Sequence, residues 1–238
     1  MADPDELTLD LSGVLRPPAD PYRPLDVRML DEYDVPHPYL SSRGISEDVQ
    51  RMFRTGYSPR HRAVTIPWFN ADGTLGNVKY RSVTDKVFWY AKGGRPIREM
   101  VYGLHIVYER NIRRSVLVEA EIDAMWLWTA GVPAVAVGGS AFSEEKAELL
   151  RKSPIEELRV ATDNDEAGAK LKAQVFEKMV GYCELFDVAI PSTYKDINEA
   201  RSLEEVQRIV DAVRRVSLSP VKRKKSPSYL YQFSESKE

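Results

Sequence analysis

The sequence contains very little cysteine and histidine. Its 238 residues include one cysteine, Cys183, and three histidines, His37, His61 and His105. A single cysteine cannot form a disulfide within the chain, and this set is too small for a structural zinc site. The sequence therefore predicts a protein that holds no zinc and works in a reducing compartment, the cytoplasm.

Long apolar segments are missing as well. No apolar run approaches the ~20 residues that a helix needs to cross a bilayer. The first residues are acidic and lack the basic-then-apolar order of a signal peptide. We therefore expect no membrane association.

The net charge of -2 hides an uneven distribution along the chain. Residues 43–114 contain fourteen Lys and Arg against six Asp and Glu, whereas residues 115–216 contain twelve against nineteen. A basic region followed by an acidic one indicates that the first binds a polyanion and the second binds a metal ion.

Strand-like and helical patterns alternate in the acidic region. Apolar runs lie at residues 115–118, 132–137, 158–161 and 184–190, and amphipathic segments at 122–130, 143–150 and 166–180. This alternation predicts βαβ units, and therefore an α/β fold with a parallel sheet.

Acidic residues follow several of these predicted strands. Glu119 ends the first strand, Asp163 and Asp165 follow the third, and Asp196 lies beyond the fourth. The carboxyl ends of parallel strands share one edge, where ligands bind. Carboxylates gathered there repel one another unless a cation neutralises them, and oxygen ligands favour Mg²⁺ or Mn²⁺.

Three acidic segments, 118–123, 162–168 and 195–199, resemble the TOPRIM domain shared by DnaG-type primases, topoisomerases and some nucleases. The family pattern is a glutamate after the first strand, an Asp-x-Asp after a later one, and in primases a Lys-Asp-x-Asn-Glu-like segment. Ala120 departs from the pattern because the family usually has glycine there, which lets the backbone turn tightly.

The basic region is similar to DnaG-type primases, which narrows the family because topoisomerases lack this part. The resemblance rests on residues Tyr39, Leu40, Arg43, Gly44 and Ile45, on a hairpin with an Asp-Gly turn at 70–74, and on residues 100–104. It covers residues 39–200 and implies a Rossmann-like TOPRIM domain preceded by a small mixed α+β primase-like subdomain.

The domain boundaries follow from this resemblance and from composition. We expect an acidic, proline-rich, mostly extended arm at 1–38, a basic α+β subdomain at 39–112, the TOPRIM domain at 113–216 and a flexible basic tail at 217–238. Without cysteines for a zinc ribbon or a P-loop for a fused helicase, the chain is expected to be a stand-alone primase core of viral or plasmid origin.

The resemblance also assigns roles to residues. The expected metal ligands are Asp163, Asp165, Asp196, Asp123 and Asn198; Glu119 is the proton acceptor or a further ligand, and Lys195 holds phosphate charge. Lys79, Arg81, Lys92, Arg95 and Arg43 are expected to bind nucleic acid or nucleotide. The implied partners are a single-stranded DNA template, nucleoside triphosphates, and a replicative helicase or another replication protein.

Several alternatives remain at this point. The aromatic residues Trp68, Phe69, Phe88, Trp89 and Tyr90 either stack on unpaired bases or belong to the core. A TOPRIM nuclease would have the same metal site, and an accessory protein with a degraded site would bind nucleic acid without catalysis. A phosphate-accepting receiver domain also gathers acidic residues at strand ends, but it would not explain the basic region.

Overall fold

The structure is a computed structural model that describes residues 22–35, 37–200 and 202–216. Most of the predicted arm and the whole of the predicted basic tail lie outside these residues. None of the helices in the described ranges is long and apolar enough to cross a bilayer.

Within this part of the chain, four antiparallel strands form a first sheet, called the front sheet below. The strands are β1 (Gly56–Ser58), β2 (Ala63–Phe69), β3 (Leu75–Ser82) and β4 (Phe88–Tyr90), in the order β1-β2-β3-β4. The β2–β3 turn contains Gly73 at φ +82°, a left-handed conformation that glycine adopts without strain. The hairpin predicted at residues 70–74 is therefore confirmed.

Short helices precede the front sheet. Helix α1 spans Pro38–Ser41 and α2 spans Glu47–Met52. Ser46 caps α2, since its Oγ accepts a hydrogen bond from the Val49 amide at 3.4 Å.

The extended arm predicted up to residue 38 differs from the structure in residues 27–33. A 3₁₀ helix, Val27–Tyr33, packs against the front sheet instead. Leu30 is buried, and the Tyr33 and Tyr80 hydroxyls lie 2.8 Å apart. These contacts explain the difference, because long-range packing orders a segment whose own composition favours an extended chain.

The second sheet is the predicted parallel sheet. It consists of β5 (Arg114–Val118), β6 (Ala134–Ala136), β7 (Glu157–Val160), β8 (Glu184–Val188) and β9 (Val213–Arg215), in the order β6-β5-β7-β8-β9. All neighbouring pairs are parallel except β8–β9. Helices α4 (Glu121–Thr129), α5 (Glu144–Arg151) and α6 (Glu166–Met179) connect these strands, which confirms the α/β fold.

Two further helices frame this sheet. Helix α3, Leu104–Glu109, leads from the front sheet into β5, and α7, Leu203–Asp211, precedes β9. The amphipathic pattern from Leu203 to Val213 predicts a single helix, whereas the structure ends α7 at Asp211 and pairs Val213 with Val188 in β9.

One apolar core joins the two sheets. It contains Phe53 and Trp68 from the front half together with Val118 and Met125 from the second half. Tyr102 links them further, because its backbone exchanges hydrogen bonds of 2.8 and 3.1 Å with Ala136 in β6. The front sheet therefore packs directly on the half of the chain that carries the acidic residues.

Candidate active site

The four main acidic residues predicted for the site lie at one edge of the parallel sheet. Glu119 follows β5, Asp163 and Asp165 follow β7, and Asp196 caps a 3₁₀ helix at Ile197–Glu199 beyond β8. Because β5, β7 and β8 run parallel, their carboxyl ends bring these residues together.

Hydrogen bonds tie the segments of this acidic edge to one another. The Asp163 amide donates to Glu119 Oε1 at 3.1 Å, and the Asn164 amide donates to the Lys195 carbonyl at 2.8 Å. The ends of β5 and β7 and the segment after β8 are thus held in direct contact.

Asp165 and Asp123 have structural contacts of their own. Asp165 is the N-cap of α6, where its Oδ1 accepts from the Gly168 amide at 2.8 Å. Asp123 is buried in the first turn of α4, where its Oδ2 accepts from the Ala120 amide at 3.4 Å. Such a bond uses one oxygen, and a carboxylate has a second that can accept a cation.

Burial and mutual repulsion raise the pKa values of the acidic edge. Burial is the largest cause for Asp123, Glu119, Asp163 and Asp196 alike. Negative neighbours add to it: Asp196 and Asp163 raise the pKa of Asp123, and Asp163 raises that of Glu119. The carboxylates are therefore close enough to compete for positive charge.

Lys195 supplies positive charge at this edge. Its Nζ lies 3.5 Å from Asp163 Oδ2, and that carboxylate raises the pKa of the lysine. Asn198 also belongs to the site through the segment after β8, and its Nδ2 donates to the Arg43 carbonyl at 3.4 Å.

The chemistry of these donors fits a hard divalent cation, because they are carboxylate and amide oxygens. In residues 22–35, 37–200 and 202–216, however, no three Asp, Glu, His or Cys side chains are arranged so closely that they would hold a metal ion together. The acidic side chains thus share an edge without converging on a single point.

The predicted cationic residues occupy different environments. Lys79 is buried, and its Nζ lies 2.9 Å from both carboxylate oxygens of Glu121. Arg81 is half-buried and donates from Nε to the Tyr39 hydroxyl at 2.7 Å. The Arg43 guanidinium lies over the same tyrosine ring, 5.6 Å from its centroid. Arg43 and Arg81 therefore both contact Tyr39, one over its ring and the other at its hydroxyl.

Lys92 and Arg95 belong to another part of the front sheet. Lys92 is exposed, and Arg95 donates from its NH1 nitrogen to Asn70 Oδ1 at 3.1 Å. The Arg95 amide also donates to the Gly76 carbonyl at 2.8 Å. These contacts place the loop of residues 92–95, which contains Gly93 and Gly94, beside the β2–β3 turn.

Comparison with known proteins identifies the second half of the chain. Residues 116–201 match the Toprim-like family. We call this segment the Toprim-like domain below, after the family that it matches. None of the curated proteins compared with the chain matches it.

Solved structures of primases share the fold over most of the chain. The zinc-binding and RNA polymerase domains of Aquifex aeolicus primase are 23% identical, with a TM-score of 0.63 over 75% of this chain and 55% of that one. A DnaG primase catalytic domain bound to single-stranded DNA is 17% identical, with a TM-score of 0.65 over 79% and 77%.

The primase fragment of the bacteriophage T7 primase-helicase protein is 19% identical, with a TM-score of 0.61 over 84% and 83%. The chain thus spans about half of the Aquifex fragment and most of the other two. At these identities the likeness shows the fold, which is that of DnaG primase catalytic cores.

Ala120 fits its place in the Toprim-like domain without strain. Its φ of -106° and ψ of 155° are extended backbone that any residue adopts. The local backbone therefore gives no reason why glycine would be needed at this position.

The structure divides the five aromatic residues into two groups. Trp68 and Phe69 are buried, and Trp89 stacks on Tyr80 with ring centroids 5.7 Å apart. Phe88, 49% exposed, and Tyr90 lie opposite Arg81 and Lys79 in the β3–β4 register. Directly opposed residues share a face, so two cations and two aromatic rings lie on one face of the front sheet.

Sequence reasoning did not single out Glu121, which contacts one of the predicted binding residues. It is 2% exposed, pairs with Lys79 and accepts a hydrogen bond from Trp68 Nε1 at 3.1 Å. Its partners lie 42 and 53 positions away in the sequence. In the sequence, Glu121 is marked only by its position between Glu119 and Asp123. That position does not distinguish a buried, paired glutamate from one exposed to solvent.

Proposed function

We propose that the chain is a DNA primase that joins nucleoside triphosphates into short primers on a single-stranded DNA template. The observation that carries the proposal is the meeting of Glu119, Asp163 and Asp196 at one sheet edge in a chain with the fold of primase catalytic cores. Primer synthesis needs negative side chains that hold divalent cations against phosphate, and this edge offers them.

Each residue of the edge has a proposed role. Asp163, Asp165 and Asp196 would hold Mg²⁺ or Mn²⁺, with Asp123 and Asn198 in support. The bound cation would neutralise phosphate charge and make the attacking 3′-hydroxyl more acidic. Glu119 accepts the proton of that hydroxyl. Lys195, already 3.5 Å from Asp163, binds a phosphate oxygen of the incoming nucleotide.

The front sheet supplies the proposed contacts with nucleic acid. Arg81 and Arg43 both contact Tyr39, and the Arg43 carbonyl accepts from Asn198 of the acidic edge. These cations would bind backbone phosphates of the template, and Lys92 and Arg95 would extend the basic surface along the sheet. We propose that the protein works in the cytoplasm with a replicative helicase or another replication protein; the T7 relative is itself a primase-helicase protein.

Primer synthesis by the purified chain tests the proposal. The protein is incubated with circular single-stranded DNA, labelled ribonucleotides and Mg²⁺ or Mn²⁺, and the products are separated by size. We expect short oligonucleotides, and a loss of at least about a hundredfold in Asp163→Asn and Glu119→Gln, because each variant removes a charge that stabilises the transition state. Glu177→Gln, an exposed site on α6, is the matched control and keeps full activity.

A different result would contradict the proposal. Metal-dependent cutting of the DNA strand without synthesis would make the protein a TOPRIM-type nuclease. Synthesis that survives in Asp163→Asn would show that the acidic edge is not the active site.

A catalytically weak nucleic-acid-binding accessory protein is the second candidate. It is favoured by the lack, within the described ranges, of three side chains converging on one metal position. Titration with Mn²⁺, followed by its electron paramagnetic resonance signal, separates the two. If the protein is a primase, the wild type binds Mn²⁺ at the acidic edge and Asp163→Asn does not. If it is an accessory protein, the wild type and Asp163→Asn both bind DNA and neither binds Mn²⁺.

A further inference from the structure

A buried ion pair joins the front sheet to the Toprim-like domain. Lys79 in β3 and Glu121, the first residue of α4, are 2.9 Å apart, and their side chains are only 10% and 3% exposed. The Phe88 ring, itself about half exposed, lies against the Lys79 ammonium, with 4.6 Å between the nitrogen and the ring centroid. A lysine buried in this way donates its hydrogen bonds to a protein group, here the Glu121 carboxylate.

Trp68 makes a second connection between the same two parts. Its Nε1 donates to Glu121 Oε1 at 3.1 Å, and its ring packs on Gly138, where an added Cβ would lie 2.5 Å from the ring. The Gly138 amide in turn donates to the Glu119 carbonyl at 2.8 Å. The front sheet therefore contacts the backbone around Glu119 on both sides, through Gly138 and through Glu121.

Lys146 completes the buried cluster. It is 3% exposed, and its Nζ donates to the carbonyl of Val137, the residue before Gly138. The Val137 amide donates to the Val118 carbonyl at 3.1 Å, directly before Glu119. The loop after β6 is thus fixed on one side by a buried lysine and on the other by Trp68.

We infer that Lys79 is a positioning residue: through its ion pair with Glu121, it holds the start of α4 so that Glu119 faces Asp163. The inference rests on the proposed function, and it replaces the expectation from the sequence that Lys79 binds nucleic acid or nucleotide. In the positioning role Lys79 touches no substrate. The turn between β5 and α4 has just one residue, Ala120, between Glu119 and the helix, so a shift of Glu121 moves Glu119 as well.

A double-mutant comparison separates positioning from phosphate binding. Lys79→Met leaves a buried carboxylate without its partner, and we expect kcat of primer synthesis to fall at least about tenfold while KM for the nucleotide changes less than about threefold. The double variant Lys79→Met/Glu121→Gln removes both charges of the ion pair, so neither is left buried without the other, and its glutamine oxygen can still accept from Trp68. We expect its kcat to return to within about threefold of the wild type.

Hydrogen–deuterium exchange gives a readout that does not depend on catalysis. Exchange of the peptide covering residues 116–124 should be at least about tenfold faster in Lys79→Met and should return to the wild-type rate in the double variant. The matched control is the exposed pair of Lys152 and Glu148, 3.3 Å apart. Lys152→Met and its double with Glu148→Gln should leave both kcat and exchange unchanged.

Two results would overturn the inference. If Lys79→Met and the double variant are equally inactive, with KM raised in both, then Lys79 binds the substrate. If exchange of residues 116–124 is the same in all variants, the ion pair does not hold the start of α4, even if the wild type turns out to make no primers. If the single variant Lys79→Met does not fold, the double variant still distinguishes the two roles. A positioning role predicts that the double variant is active, and a phosphate-binding role predicts that it is inactive.

Discussion

At the scale of single residues, Gly168 shows how tightly the acidic edge is built. It lies in the first turn of α6, and a Cβ there would come within 2.1 Å of the Asp163 carbonyl oxygen and 2.9 Å of Glu119 Oε1. The nearer atom is backbone, so it cannot move aside as the end of a flexible side chain would. The helix can therefore start beside the Asp163 backbone and the Glu119 carboxylate only because residue 168 lacks a side chain.

Substitution Gly168→Ala should destabilise the protein, although alanine in a helix is ordinarily more stable than glycine by about 1 kcal/mol. We expect the free energy of unfolding in urea to fall by about 1–3 kcal/mol, because the added methyl group overpacks the site. Primer synthesis by the folded protein should fall more than about tenfold, since the methyl group displaces Asp163.

The neighbouring Ala169→Ser provides the control for this prediction. Ala169 is exposed on the same turn, and its substitution should change the free energy of unfolding by no more than about 0.5 kcal/mol. A Gly168→Ala protein that is as stable and as active as the wild type would show that α6 and the acidic edge are not in the close contact described above.

At the scale of secondary structure elements, β3 and β4 form a surface suited to unpaired nucleic acid. Arg81 faces Phe88 and Lys79 faces Tyr90 across the two strands, on the face opposite the Tyr80–Trp89 stack. Of these aromatic rings, Phe88 is half exposed and Tyr90 is partly buried. A cation and an exposed ring on one face, here Arg81 and Phe88, are the combination that holds single strands through phosphate charge and base stacking.

Phe88→Leu should weaken binding of single-stranded DNA by about tenfold, because stacking on an aromatic ring contributes ~1–3 kcal/mol per base. Leucine still packs against the Lys79 side chain, so the ion pair with Glu121 is kept. Phe88→Tyr retains a ring and should bind as the wild type does. The measurement is fluorescence anisotropy of a labelled oligothymidine at fixed salt, and equal affinity of the wild type and Phe88→Leu would exclude a stacking role.

The elements predicted correctly from the sequence are those with a strong local pattern. The buried runs that became β5, β7 and β8 are short and apolar, and the helices α4, α5 and α6 between them have clear periodicity. Strand β9 and the 3₁₀ helix at Val27–Tyr33 were missed because partners elsewhere in the chain stabilise them: β9 pairs with β8, and Tyr33 contacts Tyr80.

The candidate site also contains residues that could be predicted from the sequence and residues that could not. Glu119, Asp163 and Asp196 could be placed at one edge from the sequence because strand order and parallel direction determine where strands end. The environment of Lys79 could not be predicted from the sequence. The alternation along β3 indicates which face of the strand carries the lysine, but it does not indicate that Glu121 lies opposite. That pairing depends on how the front sheet packs on the Toprim-like domain.

At the scale of the whole molecule, the basic and acidic parts of the chain form one body with a negative edge. Within it, burial and then repulsion between negative neighbours raise the pKa values of Glu119, Asp163, Asp196 and Asp123, although Lys195 partly offsets the rise for Glu119, Asp163 and Asp196. A carboxyl whose pKa is raised in the folded state is less stable when ionised there than in the unfolded chain, so these groups oppose folding at neutral pH. A divalent cation at this edge should relieve that cost.

Mg²⁺ or Mn²⁺ should therefore stabilise the fold. At a concentration a hundredfold above the dissociation constant, binding adds about 2.7 kcal/mol, which raises Tm by roughly 5–10 °C for a chain of this size. The rise in Tm should be smaller at pH 5 than at pH 7.5, because at pH 5 the carboxylates with raised pKa values hold protons that must leave before the cation binds.

The rise in Tm should also be smaller in Asp163→Asn, and it should be unchanged in the control Glu177→Gln. NaCl at the same ionic strength is the control that distinguishes cation binding from screening of charge repulsion. If NaCl raises Tm as much as Mg²⁺ does, or if Asp163→Asn responds like the wild type, then the acidic edge does not hold the cation.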